Sequence, residues 1–250
     1  MNNELPVDPR RELNQASASR ASSIRAMFAA ISHRYDFLNH FLSLGRDSAW
    51  RRTTAKTLRG LLPPSAIVAD LCCGTGDLVF ALRKALPGKV LGADFCHPML
   101  QLARRKRGAR LPEVHFLVAD TLALPFRNGY LDAVTIAFGL RNLADIPGGL
   151  REMHRVLKAG GWLAVLEFSR VQGPVLSRLF GLYFRHILPR LGTWISGVRG
   201  PYQYLFDSAS HFPDQQGLSD ILREAGFLRV RFQNLSGGVA ALHVAQKTIE

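Results

Sequence analysis

The stretch Val68–Asp77, VADLCCGTGD, leaves this chain few folds to choose from. An apolar segment, Ile67–Ala69, ends in an acid, Asp70; a loop with Gly74, Thr75 and Gly76 follows, and then sequence of helical period. This is the first strand–loop–helix turn of a doubly wound α/β sheet, where a nucleotide-like ligand sits beyond the strand ends. A dinucleotide site would place glycine or alanine three positions after Gly76, so that helix and strand pack closely. Val79 stands there instead. Acids at both ends of the loop, Asp70 and Asp77, are a poor setting for a pyrophosphate and a good one for a cationic ligand without phosphate. S-adenosyl-L-methionine is such a ligand.

The following segments agree with it. Lys89–Asp94 reads as a second buried strand ending in a carboxylate, at the offset where an acid accepts hydrogen bonds from ribose hydroxyls. A third strand, Val114–Val118, leads to Asp120 and Thr121, placed to meet an adenine edge. A fourth, Leu131–Ala137, leads to Phe138-Gly139-Leu140-Arg141-Asn142. Acids at three successive strand ends point to a ligand site rather than to separate helix caps. Helical sequence over about Ser23–Leu44 and Ala49–Leu61 forms an N-terminal cap over the loop. After the helix Gly149–Leu157, Gly160-Gly161 open a fifth strand, Gly161–Phe168. A helix at Gln215–Ala225 and two strands, Phe227–Gln233 and Val239–Gln246, close the chain. Alternating α/β units followed by a terminal hairpin are the organisation of class I methyltransferases, a Rossmann-like α/β fold with a seven-stranded sheet.

At 250 residues and 47% hydrophobic content, the chain supports one large domain, 24–250, behind a loose polar arm at 1–23. The arm lacks the apolar segment of a signal peptide. No uncharged apolar run reaches the roughly 18 residues that a membrane span needs. Cys72, Cys73 and Cys96 have no paired spacing, so they read as reduced packing residues of a cytoplasmic protein, with neither disulfide nor metal site. A net charge of +13 and a pI near 10.5 favour an anionic partner, a membrane surface or a nucleic acid. No acid lies between Glu167 and Asp207, whereas Arg170, Arg178, Arg185, Arg190 and Arg199 do, interleaved with apolar and aromatic residues at helical spacing. The insertion at 171–210 therefore suits a peripheral contact with an anionic membrane, a lid over a substrate pocket, or a homodimer contact. A nucleic-acid methyltransferase would carry an Asp/Asn-Pro-Pro-aromatic turn after the fourth strand. AFGLRN stands there, so no nucleic acid is expected as substrate. A non-catalytic scaffold that binds the cofactor is the other alternative, and the intact loop argues against it.

Five blocks in order give a more specific resemblance: Arg34–Arg52 (RYDFLNHFLSLGRDSAWRR), Asp70–Asp77, Leu124–Phe126 with Phe138–Asn142, Arg151–Ser169, and Asn234–Lys247. Together they resemble the quinone C-methyltransferases of ubiquinone and menaquinone biosynthesis, over about residues 27–247. The resemblance implies transfer of the S-adenosyl-L-methionine methyl group to a ring carbon of a polyprenylated quinol. Demethylmenaquinol is the preferred acceptor and a methoxy-polyprenyl-benzoquinol the alternative. It implies cofactor contacts at Asp70, Gly74, Thr75, Gly76, Asp94, Asp120 and Thr121, and at Ala137, where the family commonly has Ser and only backbone or van der Waals contact is left. Tyr35, Phe138 and Tyr202 would meet the substrate. A second departure falls at Ser196–Tyr202, where Arg199 takes the place of an acid common in relatives.

Ring-carbon methylation requires a phenolate that pushes charge onto the ortho carbon, held in line with the methyl group and away from water. Arg141 would stabilise that oxyanion; a guanidinium is a poor general base. Asn142 would orient the ring hydroxyl or the cofactor. The base is Asp36, His33, His40 or a water; the residues do not choose. A salt bridge from Arg141 to Asp145 is the purely structural alternative.

Overall fold

The computed structural model describes residues 22–30, 32, 40, 43, 45–109, 111–174, 178, 181–182 and 201–249. Tyr35, Asp36, His33, the side chain of Tyr202 and most of the 171–210 insertion lie outside them.

Helix α1 (22–30) and helix α2 (Arg46–Arg59) precede the sheet. Strand β1 (Ile67–Leu71), helix α3 (Asp77–Ala85), strand β2 (Lys89–Asp94), helix α4 (His97–Arg107), strand β3 (His115–Val118) and strand β4 (Leu131–Ala137) then alternate. After a short 3₁₀ turn, Leu140–Asn142, come helix α5 (Ile146–Val156) and strand β5 (Leu157–Phe168). Helix α6 (Pro201–Ser210), helix α7 (Gln215–Glu224), strand β6 (Phe227–Leu235) and strand β7 (Ala240–Lys247) end the chain.

The seven strands form one sheet in the order β3-β2-β1-β4-β5-β7-β6. The first five are parallel, and β7 inserts antiparallel between β5 and β6. Buried parallel strands need apolar residues on both faces, and β1 meets this. Val68 joins a core with Leu58 of α2 and Leu82 of α3, while Ala69 and Leu71 face the opposite core, with Leu150 and Met153 of α5. Each face is thus sealed by a different set of helices.

The expected bounds of β2 and β4 match the structure, and the other elements within 46–249 shift by a few residues; much of the helix expected over 23–44 lies outside the described residues. Helix α5 starts earlier than expected because Asp145 caps it, accepting the Gly148 N–H at 2.9 Å, with proline in the first turn. Such a cap contributes about 1 kcal/mol. Strand β5 starts four residues before the expected Gly161, because Leu157 already pairs with Leu131, ahead of an irregularity in the register.

Candidate active site

Strand order reverses at β1, with β2 on one side and β4 on the other, so the loops after these strands leave in opposite directions and open a crevice. A cleft of about 760 Å³, partly open to solvent, occupies it. Its walls come from Cys72 and Gly74 after β1, Asp94–Cys96 after β2, Ala119–Leu122 after β3, and Ala137–Gly139 after β4. Ile24 and Phe28 of α1 close it from the N-terminal side, and Asn142 lies on the wall of the turn.

Backbone geometry brings the loops together. Gly74 (φ 55°) and Gly76 (φ 87°) take the left-handed conformation that glycine adopts without strain. A Cβ on Gly76 would lie 3.1 Å from the rings of Phe116 and Phe80, so the close helix–sheet contact is made here rather than at Val79. On the opposite wall, a Cβ on Gly139 would lie 2.5 Å from the Cys72 Cβ. Cys72 (φ 50°) and Phe138 (φ 57°) are non-glycine residues in the same left-handed region, a strain typical of ligand sites.

The electrostatics of the cleft are opposite to those of the whole chain. Despite a net charge of +13, its lining among the described residues has no lysine or arginine and two carboxylates, Asp94 and Asp120. Asp94 accepts the Gly74 N–H at 2.8 Å on one oxygen and the Cys96 N–H at 2.7 Å on the other, which ties the first loop to the second. Burial raises its carboxyl above the usual range, against the pull of these amides. Asp120 is exposed and accepts the Leu122 N–H at 2.9 Å. Carboxylates with spare lone pairs suit ribose hydroxyls and a cationic ligand, and the missing cations fit a ligand without phosphate.

Other expected site residues lie elsewhere. Asp70 does not line the cleft; it is 1% exposed and accepts the Thr135 hydroxyl at 2.6 Å. Thr75 is also buried, its Oγ1 accepting from Lys106 Nζ at 2.9 Å, and Lys106 pairs in turn with Asp77 at 2.8 Å. Gly76 serves as the α3 cap. Thr121, Ala137 and Phe138 do border the cleft, and Thr121 Oγ1 lies 3.5 Å from Cys72 Sγ.

Arg141 is 8% exposed and is not among the lining residues. Its partner is Glu167, not Asp145, which bonds the Gly148 amide and lies 3.7 Å from Arg151. Arg141 Nη1 donates to Glu167 Oε1 at 2.6 Å and to the Phe138 carbonyl at 2.7 Å, and its guanidinium lies over the Phe168 ring. Burial pushes the Glu167 carboxyl up, while Arg141 and the Phe168 and Arg141 amides pull it back. Arg141 Nε is buried and has no partner among the described residues. The same Phe138 carbonyl takes Asn142 Nδ2 at 3.3 Å, and Asn142 Oδ1 accepts the Tyr204 hydroxyl at 3.0 Å.

The N-terminal cap braces this wall. Trp50 lies against the Phe138 ring at 6.0 Å between centroids, Arg51 lies over the same ring at 5.7 Å, and Arg25 of α1 lies over Phe95 at 5.0 Å. His40, one of the expected bases, sits with its Nδ1 2.7 Å from Asp47, outside the cleft lining. Asp47 also pairs with Arg51 and accepts the Ser43 hydroxyl at 2.8 Å. Burial would raise its carboxyl, but these partners outweigh burial and hold it low. His40, Asp47 and Asp77 bring metal-ligand atoms together, yet Arg51 and Lys106 already engage the two acids. All three cysteines are free.

Glu167, Tyr204, Phe95 and Met99 were missed in the sequence. Glu167 carried a usable signal, an acid at a strand end like Asp94. Phe95 follows directly on the acid of β2, where an aromatic could flank an adenine.

A switch-point cleft lined with carboxylates, on a parallel sheet closed by an antiparallel hairpin, is the architecture of class I methyltransferases. Solved structures agree: a SAM-dependent methyltransferase of Thermotoga maritima has a TM-score of 0.61 at 19% identity, over 89% of this chain and 99% of that one. One from Aquifex aeolicus matches at 0.61 and 20% identity, over 84% and 97%. At these identities the likeness concerns the fold. Sequence resolves it further: residues 15–247 match the model of the ubiE/COQ5 methyltransferase family, and the chain belongs to that family. The protein is an S-adenosyl-L-methionine-dependent methyltransferase. The chain is 47% identical to the demethylmenaquinone methyltransferase of Thermus thermophilus, over 88% of this chain and 100% of the relative. It is 41% identical to the enzyme of the same name from Deinococcus radiodurans, over 98% of both.

Proposed function

We propose that this enzyme methylates a ring carbon of demethylmenaquinol to give menaquinol. The observation that carries the reading is the cleft that runs up to Asn142, lined by two carboxylates and, among the described residues, by no lysine or arginine, in a chain so close to proteins named demethylmenaquinone methyltransferase. S-adenosyl-L-methionine supplies an electrophilic methyl group on a sulfonium. Asp94 and Asp120 would hold its ribose and adenine side, with Gly74 allowing close backbone approach and Ala137 giving only van der Waals contact. Asn142 would orient the acceptor hydroxyl. Arg141, behind the cleft wall rather than on its lining, would stabilise the oxyanion that develops as that hydroxyl loses its proton; its buried Nε–H has no partner among the described residues, and Glu167 keeps the guanidinium in place. Phe138, Tyr35 and Tyr202 would contact the ring, and Asp36 is a candidate base.

The acceptor is a membrane lipid, and a surface of +13 would favour peripheral attachment to the anionic cytoplasmic leaflet. No helix among the described residues is long and apolar enough to cross a membrane. The test is methyl transfer from labelled S-adenosyl-L-methionine to demethylmenaquinol and to a methoxy-polyprenyl-benzoquinol in anionic lipid, with bulk RNA as control. Label in demethylmenaquinol supports the reading, and label only in the benzoquinol replaces the substrate. Label only in RNA, or none despite cofactor binding, overturns it. Flotation with anionic and neutral vesicles separately tests the attachment.

A further inference from the structure

Asn142 is the polar side chain of the turn that reaches the cleft, and its amide is held at both ends. Nδ2 donates to the Phe138 carbonyl at 3.3 Å, and Oδ1 accepts the Tyr204 hydroxyl at 3.0 Å. These two bonds are unequal constraints. The Phe138 carbonyl already takes Arg141 Nη1 at 2.7 Å, so its bond to Asn142 is long and shared. An amide turned over would set Oδ1 against that carbonyl, acceptor against acceptor. Its Nδ2 would then face a phenol oxygen able to accept. The carbonyl, which can only accept, thus sets which end of the amide faces it, and the phenol, able to donate or accept, adds the second tether that restrains the side chain. Without the hydroxyl, one weak bond would fix the amide.

We infer that Tyr204, carried by α6, is a positioning residue of the acceptor site, tethering the Asn142 amide, whose direction the Phe138 carbonyl sets, so that its second N–H is held toward the cleft. The inference rests on the reading of Asn142 as the group that orients the acceptor hydroxyl. Tyr204 lies in the first turn of α6, which packs on the turn Leu140–Asn142. The phenol therefore also joins the C-terminal end of the insertion to the wall of the cleft. Tyr204 is partly buried and is not a lining residue, so it acts through Asn142.

The experiment compares the wild-type chain with Tyr204→Phe, Asn142→Ala and the double variant, using labelled S-adenosyl-L-methionine and demethylmenaquinol in anionic lipid. Loss of one neutral hydrogen bond predicts a fall in kcat/KM for the quinol of about tenfold for Tyr204→Phe. Affinity for S-adenosyl-L-methionine, by calorimetry, should stay within about twofold. In the Asn142→Ala background the same substitution should change kcat/KM by less than about twofold, since positioning through Asn142 cannot add to its removal. Undiminished turnover by Tyr204→Phe overturns the inference. So does an equal loss in both backgrounds, which would mean that the phenol acts by itself, and so does a matching loss of cofactor affinity. Failure of the wild type to methylate any quinol would refute the function instead. A readout without acceptor then still decides: the side-chain amide proton pair of Asn142, assigned by its loss in Asn142→Asp, should lose dispersion in Tyr204→Phe. An unchanged pair overturns the inference.

Discussion

Asp70 stands at the carboxyl end of β1, almost wholly shielded from solvent. It is 1% exposed, with the fully buried Thr135 hydroxyl as its hydrogen-bond donor. Burial is the largest influence on its carboxyl. Thr135 and Arg51 oppose that influence and the nearby Asp94 and Asp77 add to it, and the pKa rises from 3.8 to about 7. The sign follows from linkage. The folded state binds this proton more tightly than the unfolded chain, so the favourable contribution is complete below pH 4 and is lost as pH rises through about 7. A shift of about three units at 1.36 kcal/mol each makes the loss of the order of 4 kcal/mol by pH 8. Asp70→Asn keeps an oxygen for the Thr135 hydroxyl and cannot ionise. Urea unfolding at constant ionic strength between pH 4 and 8 should therefore show wild-type stability falling by about 4 kcal/mol relative to the variant. The two should be nearly equal at pH 4, and the variant should melt roughly 10 °C higher at pH 8. Parallel pH dependences for the two proteins would refute the argument and mean that Asp70 is ionised in the fold.

Three further outcomes follow from the same geometry. Arg141→Met strands the Glu167 carboxylate and should cost about 3–5 kcal/mol at neutral pH, whereas Arg141→Met with Glu167→Leu should recover most of that stability and no turnover; denaturant melts with the quinol assay check both. Asp94→Ala removes the proposed ribose acceptor and the tie between two loops, so calorimetry should give S-adenosyl-L-methionine affinity at least tenfold weaker. Gly139→Ala drives a methyl group into the Cys72 Cβ and should cost about 1–3 kcal/mol. Cys72→Gly, which relieves a left-handed backbone, should reduce that penalty in the double variant, and additive losses in unfolding melts would refute the contact.

The parallel core was legible because buried strands are short apolar runs ended by acids or glycines. Asp94 and Asp120 stood out for the same reason, as acids just beyond strands. Asp70 fits that pattern equally well, yet its side chain turns inward to Thr135, a partner 65 positions away that only the β1–β4 pairing brings near. Gly160-Gly161 looked like a strand opening, while the backbone crosses it inside β5. Tyr204 is not legible because nothing in the sequence fixes the phase of α6, and the side chain of Tyr202 lies outside the described residues. Residues two apart on a helix point to different sides, so that phase decides which tyrosine meets the turn.

The bond from Trp50 Nε1 to Ser236 Oγ, at 3.0 Å, joins the second helix of the chain to the bend between its last two strands. The segment that completes the inner part of the sheet, β7, is made after β1 to β6, and it carries Leu242 and Val244 into the core that α2 covers. During synthesis, then, β1 to β5 can assemble with α2 already packed on α3 and β5, before β7 and Ser236 add the rest of its surface. A ribosome-bound chain stopped before residue 236 should hold its early strands with α2 docked but without the tie from Trp50. The hairpin would thus fasten α2 late, and long-range closure of this kind makes for slow folding.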